Sequence, residues 1–106
     1  MNDRELLELA AKAAGLDARY DEENECCYFP PGKHSDAWNP LTDDGDALRL
    51  AVKLRLTLDI ERDRCCVSVG DHTGKFGVQP WGKEGPEAAT RRAIVRAAAE
   101  IGRAIK

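Results

Sequence analysis

The sequence has no long apolar run and few aromatic residues. None of its hydrophobic stretches approaches the ~18 residues that cross a bilayer, and aromatic residues make up only 6% of the 106 residues. Residues 1–5 have neither the basic nor the apolar region of a signal peptide. These absences exclude integral membrane proteins, fibrous proteins and secreted precursors, and they favour a soluble protein of the cytoplasm.

The residues that are present suffice for one folded domain. Apolar residues make up 42% and charged residues 33%, and a chain of this size buries roughly two-thirds of its unfolded surface. We therefore expect residues 1–106 to form a single domain.

The charge is unevenly distributed along the chain. The net charge is −3, with 6 Lys and Arg against 12 Asp and Glu in residues 1–53, and 10 Lys and Arg against 7 Asp and Glu in residues 54–106. An acidic total argues against non-specific binding to nucleic acid.

Three segments have the periodicity of amphipathic helices. The first covers residues 4–14, capped by Asn2 or Asp3 and followed by Gly15. The third begins at Pro86, a favoured first helical residue, and runs to the C-terminus. The second helix ends near residue 53 or 54, and its candidate N-caps are Thr42, Asp43 and Asp44. The residues expected on its buried side are Ala47, Leu48, Ala51, Val52 and Leu54.

Five segments are predicted to be short strands: residues 16–20, 25–29, 54–61, 65–69 and 75–79. The element order is then α-ββ-α-βββ-α. Short connections favour antiparallel pairing, and the predicted fold is α+β, a layered α/β/α-type sandwich. The strand at residues 54–61 alternates apolar with polar side chains, so it lies at a sheet edge or leaves its polar face open as a candidate interaction surface.

Three segments of the sequence resemble a known family. They are residues 38–52, which read WNPLTDDGDALRLAV, residues 3–15 and residues 89–100. On these segments the chain resembles the phage ABA sandwich domain family, small proteins of tailed-phage and prophage genomes. The resemblance implies an α/β/α sandwich and a phage origin. Because the family has no established activity, the resemblance assigns no functional residue to this chain.

The four cysteines form two vicinal pairs, Cys26-Cys27 and Cys65-Cys66, each followed by a histidine, His34 or His72. Zinc binds Cys and His readily, but structural sites use two cysteines separated by two to four residues. Adjacent residues of a strand instead point to opposite faces. We therefore expect reduced cysteines that act as small hydrophobic residues, with one exposed thiol in each pair. A Cys2His2 zinc site and a disulfide between the pairs are the alternatives.

Two further patterns have structural explanations. Residues 70–75, which read GDHTGK, differ from a phosphate-binding loop in glycine spacing, and Phe76 replaces the residue that would meet Mg²⁺. We expect a hairpin turn there. The acids Asp43, Asp44 and Asp46 could suggest a cation site, but Leu54 stands at the twelfth position, where an EF-hand needs Glu. Capping of the second helix explains these acids.

The third helix carries the main candidate for partner binding. Arg92, Arg96, Arg103 and Lys106 lie within about 80° of one another around its axis, with Arg91 to one side. This stripe is either a solvated face or a docking strip for an acidic protein surface or nucleic acid. The helix lacks the interleaved aromatic residues typical of nucleic-acid readers, which favours a protein. The further candidates Trp38 and Trp81 either cover the end of the core or act as exposed anchors.

No catalytic constellation is present in the sequence, so we expect a binding protein and not an enzyme. No cofactor or metal is expected, and the partner is a protein of the phage or its host. The alternatives are a nucleic-acid-binding regulator and a zinc-binding module built on the Cys-Cys and His blocks. A homodimer could form through an edge strand or through the third helix.

Overall fold

The computed structural model describes residues 2–23, 26–28 and 37–105. These residues form three helices: α1 (Asp3–Ala14), α2 (Asp44–Leu54) and α3 (Pro86–Ala104). They also form β1 (Arg19–Asp21), β2 (Cys26–Tyr28), β3 (Ala37–Trp38), β4 (Thr57–Glu61), β5 (Cys66–Asp71) and β6 (Gly74–Pro80). The predicted α+β class and element order are confirmed, and β3 is a short additional strand before α2.

The helix ends follow the predicted capping chemistry. The Asn2 side chain accepts a hydrogen bond from the Glu5 backbone N–H at 2.8 Å, and Gly15 adopts a left-handed conformation after α1. Of the three candidate caps for α2, Asp43 is the one used, and its carboxylate accepts from the Asp46 N–H at 2.8 Å. The acids at this helix end therefore have the structural role expected from the sequence.

The strands form two antiparallel sheets of three strands each, in the orders β1-β2-β3 and β4-β5-β6. In the second sheet β5 is central, and β4 is the edge strand that its polar side chains predicted. Val67 and Val69 of β5 are buried beneath α3, on the inner face of this sheet. Thr57 and Asp59 lie exposed on the outer face, opposite Gly70 and Ser68 of β5.

Helix α3 lies at the centre of the molecule because it is apolar on two sides. Ile94, Val95 and Ala98 pack with residues of α1 and α2 in the larger core cluster. Ala93 and Ala97 pack with the valines of β5 in a second cluster. Alanine allows both neighbours to come close, so one helix joins the helical layer to the β4–β6 sheet.

Helices α1 and α3 approach each other closely at Gly102. A Cβ atom at this position would lie 2.1 Å from the Leu9 carbonyl oxygen. Only glycine fits there without moving one of the helices. Lys12 and Arg92 bridge the same helix pair, because Lys12 donates to the Ile105 carbonyl at 2.9 Å and Arg92 to Asp3 at 3.2 Å.

Two expectations about packing require correction. Leu48 and Val52 were assigned to the buried side of α2, but they are 63% and 68% exposed, and Leu50 is buried instead. The sequence placed Leu54 both at the end of the second helix and at the start of the next strand. The helix placement is confirmed, since α2 includes Leu54 and is followed by Arg55 in a left-handed conformation, and the strand begins only at Thr57. The apolar residues surround α2 on more than one side, so periodicity alone does not select the face that meets α3.

Candidate functional site

The arginines predicted to form a basic stripe lie along a groove between α3 and β6. This α3–β6 groove has a volume of about 580 Å³. Arg92, Arg96 and Arg103 all line it, together with Glu100 of the same helix face. Lys106, the fourth residue of the predicted stripe, lies outside the described residues. The structure therefore places the predicted arginines beside a concave surface.

Strand β6 forms the other wall with its edge. Five consecutive residues of this strand, 75–79, line the groove. Successive side chains of a strand point to opposite faces, so a groove over one face would be lined by alternate residues. A continuous run of lining residues indicates that the groove follows the edge of the strand, where its backbone is accessible.

Small residues on both walls leave the space open. Gly77 pairs with Val69, which places it on the side of the sheet that faces α3. A Cβ atom at Gly77 would have no atom within 4 Å. Ala93 and Ala97 line the groove from α3, and Phe76 and Leu6 complete its apolar part. The groove therefore has an apolar floor beneath charged walls.

The charges along the groove are predominantly positive. Lys75, Arg92, Arg96 and Arg103 line it, against the single carboxylate of Glu100. Arg103 donates to Glu100 at 3.3 Å, whereas Arg96 donates to the neutral amide oxygen of Gln79 at 2.7 Å. Among the described residues, neither Lys75 nor Arg96 forms an ion pair. Two cations are therefore not neutralised by a protein carboxylate in that part of the chain.

Arg91 is separated from this row by its structural contacts. Its side chain donates to the Leu41 carbonyl at 2.9 Å and to the Asp44 carboxylate at 2.6 Å. These contacts fasten α3 to the start of α2. Sequence reasoning placed Arg91 beside the stripe, and the structure shows that it serves the packing of the two helices.

Lys75 and Gln79 were missed by sequence reasoning. Both belong to β6, which is distant in sequence from the arginines of α3. Only the packing of α3 on the β4–β6 sheet brings them to the same groove, so no local motif could have identified them.

The comparisons with known proteins give no match. No family model matches the sequence, and neither a curated protein nor a solved structure matches it. Within the described part of the chain, no helix is long and apolar enough to cross a membrane.

The two tryptophans do not extend the groove. Trp38 is only 5% exposed and packs in the larger core cluster, so its core role applies and its ring is not a surface anchor. Trp81 is half-buried against the β5 valine cluster, and its indole N–H is buried with no hydrogen-bond partner among the described residues. Both rings pack within the molecule: Trp38 is the second residue of β3, and Trp81 directly follows β6.

The structure describes the side chains of three of the four cysteines. Cys27 and Cys66 are buried and Cys65 is exposed, which matches one exposed thiol in the second pair. Within residues 2–23, 26–28 and 37–105, no three His, Cys, Asp or Glu side chains are grouped to hold a metal ion. His34 lies outside these residues, and so does the side chain of Cys26.

A small polar cluster lies at the β4–β5 end of the second sheet. The Cys66 thiol donates to Glu61 Oε2 at 3.0 Å, and the Ser68 hydroxyl approaches the same oxygen at 3.5 Å. The thiol hydrogen bond lowers the pKa of the Glu61 carboxyl and raises the pKa of Cys66. A raised pKa keeps the thiol protonated, so the cluster is structural and does not activate a nucleophile.

The glycine-rich segment between β5 and β6 is a hairpin turn, as expected. Asp71 accepts hydrogen bonds from the backbone N–H and the hydroxyl of Thr73. These bonds lower the pKa of the Asp71 carboxyl. At Gly70 an added Cβ would lie 2.5 Å from the Gly74 carbonyl oxygen, so the two sides of the turn are in close contact.

Proposed function

We propose that this protein acts by binding, and that the α3–β6 groove receives an acidic segment of a partner protein. The observation that carries the proposal is the row of four cations above an apolar floor. Arg92 pairs with Asp3 and Arg103 with Glu100, whereas Lys75 and Arg96 form no ion pair among the described residues. Charged walls favour encounter with an acidic segment, and apolar area at the floor favours its retention. In this proposal the protein has no catalytic activity of its own.

The side chains of the groove support binding over catalysis. Its described lining includes no histidine, cysteine, serine or aspartate. Its carboxylate, Glu100, is held by Arg103. General acid-base or nucleophilic catalysis needs such groups within hydrogen-bond reach of each other, and the groove supplies cations and apolar surface instead.

Charge and composition favour a protein partner over nucleic acid. The whole chain carries a net charge of −3, which opposes approach to a phosphate backbone. Phe76 is the one aromatic side chain among the described residues of the groove, whereas single-stranded nucleic acids are bound by several stacking rings. The net charge also opposes an acidic peptide, but a peptide with a few acids carries less charge than a phosphate backbone and needs only the local cations.

The resemblance of residues 3–15, 38–52 and 89–100 extends the proposal to an origin. On that basis the chain is a phage or prophage protein of the phage ABA sandwich type, working in the cytoplasm of a bacterial host. Its partner is then a host or phage protein, and a homodimer is a further arrangement to be measured by light scattering.

A defined acidic peptide tests the groove directly. The probe is a fluorescein-labelled heptapeptide in which glutamate alternates with valine, and binding is followed by fluorescence anisotropy. Arg96→Glu should weaken binding at least about tenfold, because hydrogen bonds to charged groups contribute about 1.5–3 kcal/mol. Arg62→Glu is the matched control, since Arg62 is exposed in the β4–β5 turn and does not line the groove.

Three results would contradict the proposal. One is the absence of any peptide binding at millimolar concentration. Another is an equal loss of affinity in Arg96→Glu and Arg62→Glu, which would mean that net charge alone acts. The third is tighter, Arg96-dependent binding of a labelled DNA or RNA oligonucleotide, which would assign the groove to nucleic acid.

A further inference from the structure

We infer that the acidic segment binds as an extended strand added to the free edge of β6. This inference rests on the proposed function and specifies its geometry. Strand β6 is the last in the order β4-β5-β6, and within the described residues no strand pairs with its other edge. An edge strand presents unpaired N–H and C=O groups to an incoming chain.

The groove coincides with that edge. Its β6 wall is the continuous run of residues 75–79, which exposes backbone as well as side chains. Five strand residues span about 17 Å, and the helix rise places Arg92 and Arg103 about 16 Å apart along α3. The two walls therefore run over the same length, which suits a segment of about five extended residues.

The spacing of the arginines fits alternate side chains of a strand. Arg92 and Arg96 are separated by one helical turn, about 6 Å along the axis. Side chains two residues apart on a strand are separated by about 6.8 Å. An added strand with acids at alternate positions can therefore present one carboxylate to each of these arginines, while its other side chains point to the outer face of the sheet.

The open position at Gly77 suits an extended occupant. A Cβ atom there would meet no atom within 4 Å, which leaves room for the side chains that an added strand directs toward α3. An extended chain can also pair its backbone with the β6 edge, which a helix cannot do because its own N–H and C=O groups are already paired.

Charge favours a foreign acidic strand over a second copy paired through its own β6 edge. Two copies paired through their β6 edges would bring two rows of Lys75, Arg92, Arg96 and Arg103 together, and like charges oppose such pairing. The opposite edge of the same sheet, β4, carries Asp59 and Glu61, which repel an acidic strand. Of the two edges, β6 is the one with complementary charge.

Backbone methylation of the alternating peptide separates strand addition from other modes of binding. Only alternate residues of an added strand hydrogen-bond to β6. Two versions are compared, one N-methylated at the glutamates and the other at the valines, so that all charges are kept. We expect one version to lose at least about tenfold in affinity and the other to stay within about threefold of the parent peptide.

Hydrogen exchange supplies a second measurement in the same molecule. Binding of the parent peptide should slow amide exchange in β6, at residues 75–79, and leave the matched edge β4 unchanged. Gly77→Val should weaken binding about tenfold by filling the groove. Thr57→Val, on the outer face of β4 and outside the groove lining, is the control and should bind like the wild type.

The experiments distinguish a failure of strand addition from a failure of the proposed function. If the parent peptide binds through Arg96 but both methylated versions bind equally well, or β6 exchange is unchanged, strand addition is wrong and the proposed function stands. If protection appears at β4, the edge is wrongly assigned. If the parent peptide does not bind at all, both the proposed function and this inference are overturned.

Discussion

Two glycines, Gly102 in α3 and Gly77 in β6, have opposite surroundings. Gly102 lies in α3 where a Cβ would be 2.1 Å from the Leu9 carbonyl oxygen of α1, whereas a Cβ at Gly77 of β6 would meet no atom within 4 Å. The missing side chain allows two helices to touch in the first case and leaves a groove open in the second. The α1–α3 contact therefore contributes stability, and the α3–β6 side offers a surface.

The largest expected effect is on the closely packed side. Leu7 is fully buried in the cluster between α1 and α3, and Leu7→Ala should lower the free energy of unfolding by about 3 kcal/mol, through lost burial and a residual cavity. Val78→Ala on β6 is the comparison. Val78 is 51% exposed, so the loss should stay below about 1 kcal/mol. Urea unfolding measures both, and equal losses would contradict the contrast between the two sides.

Gly102→Ala should have the next largest effect, and its sign is informative. Helix propensity alone would make this change stabilising by about 1 kcal/mol. The contact with Leu9 should instead destabilise the protein by about 2 kcal/mol, because backbone atoms cannot move away cheaply. Thermal and urea unfolding give the sign directly. A stabilised variant would show that α1 and α3 are not in close contact.

A smaller effect is expected at Glu61, which lies in the polar cluster at the β4–β5 end of the second sheet. Its folded pKa lies below the ordinary 4.5 because Cys66 donates to it. The resulting stability is present above pH 4.5 and is lost as the pH falls through the folded pKa. Glu61→Gln should therefore show a shallower fall in Tm between pH 6 and pH 3. Parallel curves for the variant and the wild type would contradict this role.

The smallest effect is expected at Gly77. Its backbone is outside the left-handed region and its Cβ position is empty. Gly77→Ala should therefore leave stability unchanged or raise it by up to about 1 kcal/mol, since alanine restricts the unfolded chain. Measured beside Gly102→Ala, it tests the comparison with one substitution at two sites. A loss above 1 kcal/mol at Gly77 would mean that the groove is filled.

Elements with strong local signals were predictable from the sequence. The amphipathic pattern and the caps of α1 located that helix to within a residue, and Pro86 marked the start of α3. The alternation after Leu54 identified β4, although the strand begins at Thr57 because the preceding helix continues through Leu54. Local hydrogen bonding and periodicity decide these features, and both can be read from adjacent residues.

Contacts between distant segments were not predictable in the same way. The sequence placed Leu48 and Val52 in the core, and the structure leaves them exposed because α3 packs on another side of α2. The short strand β3 was also missed, since its two residues gain their pairing only from β2. In both cases the burial or pairing of an element depends on which other helix or strand packs against it.

The candidate site also combines features fixed by local sequence with features fixed by contacts between distant segments. The sequence by itself determined that Arg92, Arg96 and Arg103 share one side of a helix, because helical geometry fixes their angles. Only the tertiary structure decided that this side borders an edge strand, that Lys75 and Gln79 join it, and that Gly77 leaves the space between them open. The physical reason is that a groove is defined by two walls, and its walls come from segments that only packing brings together.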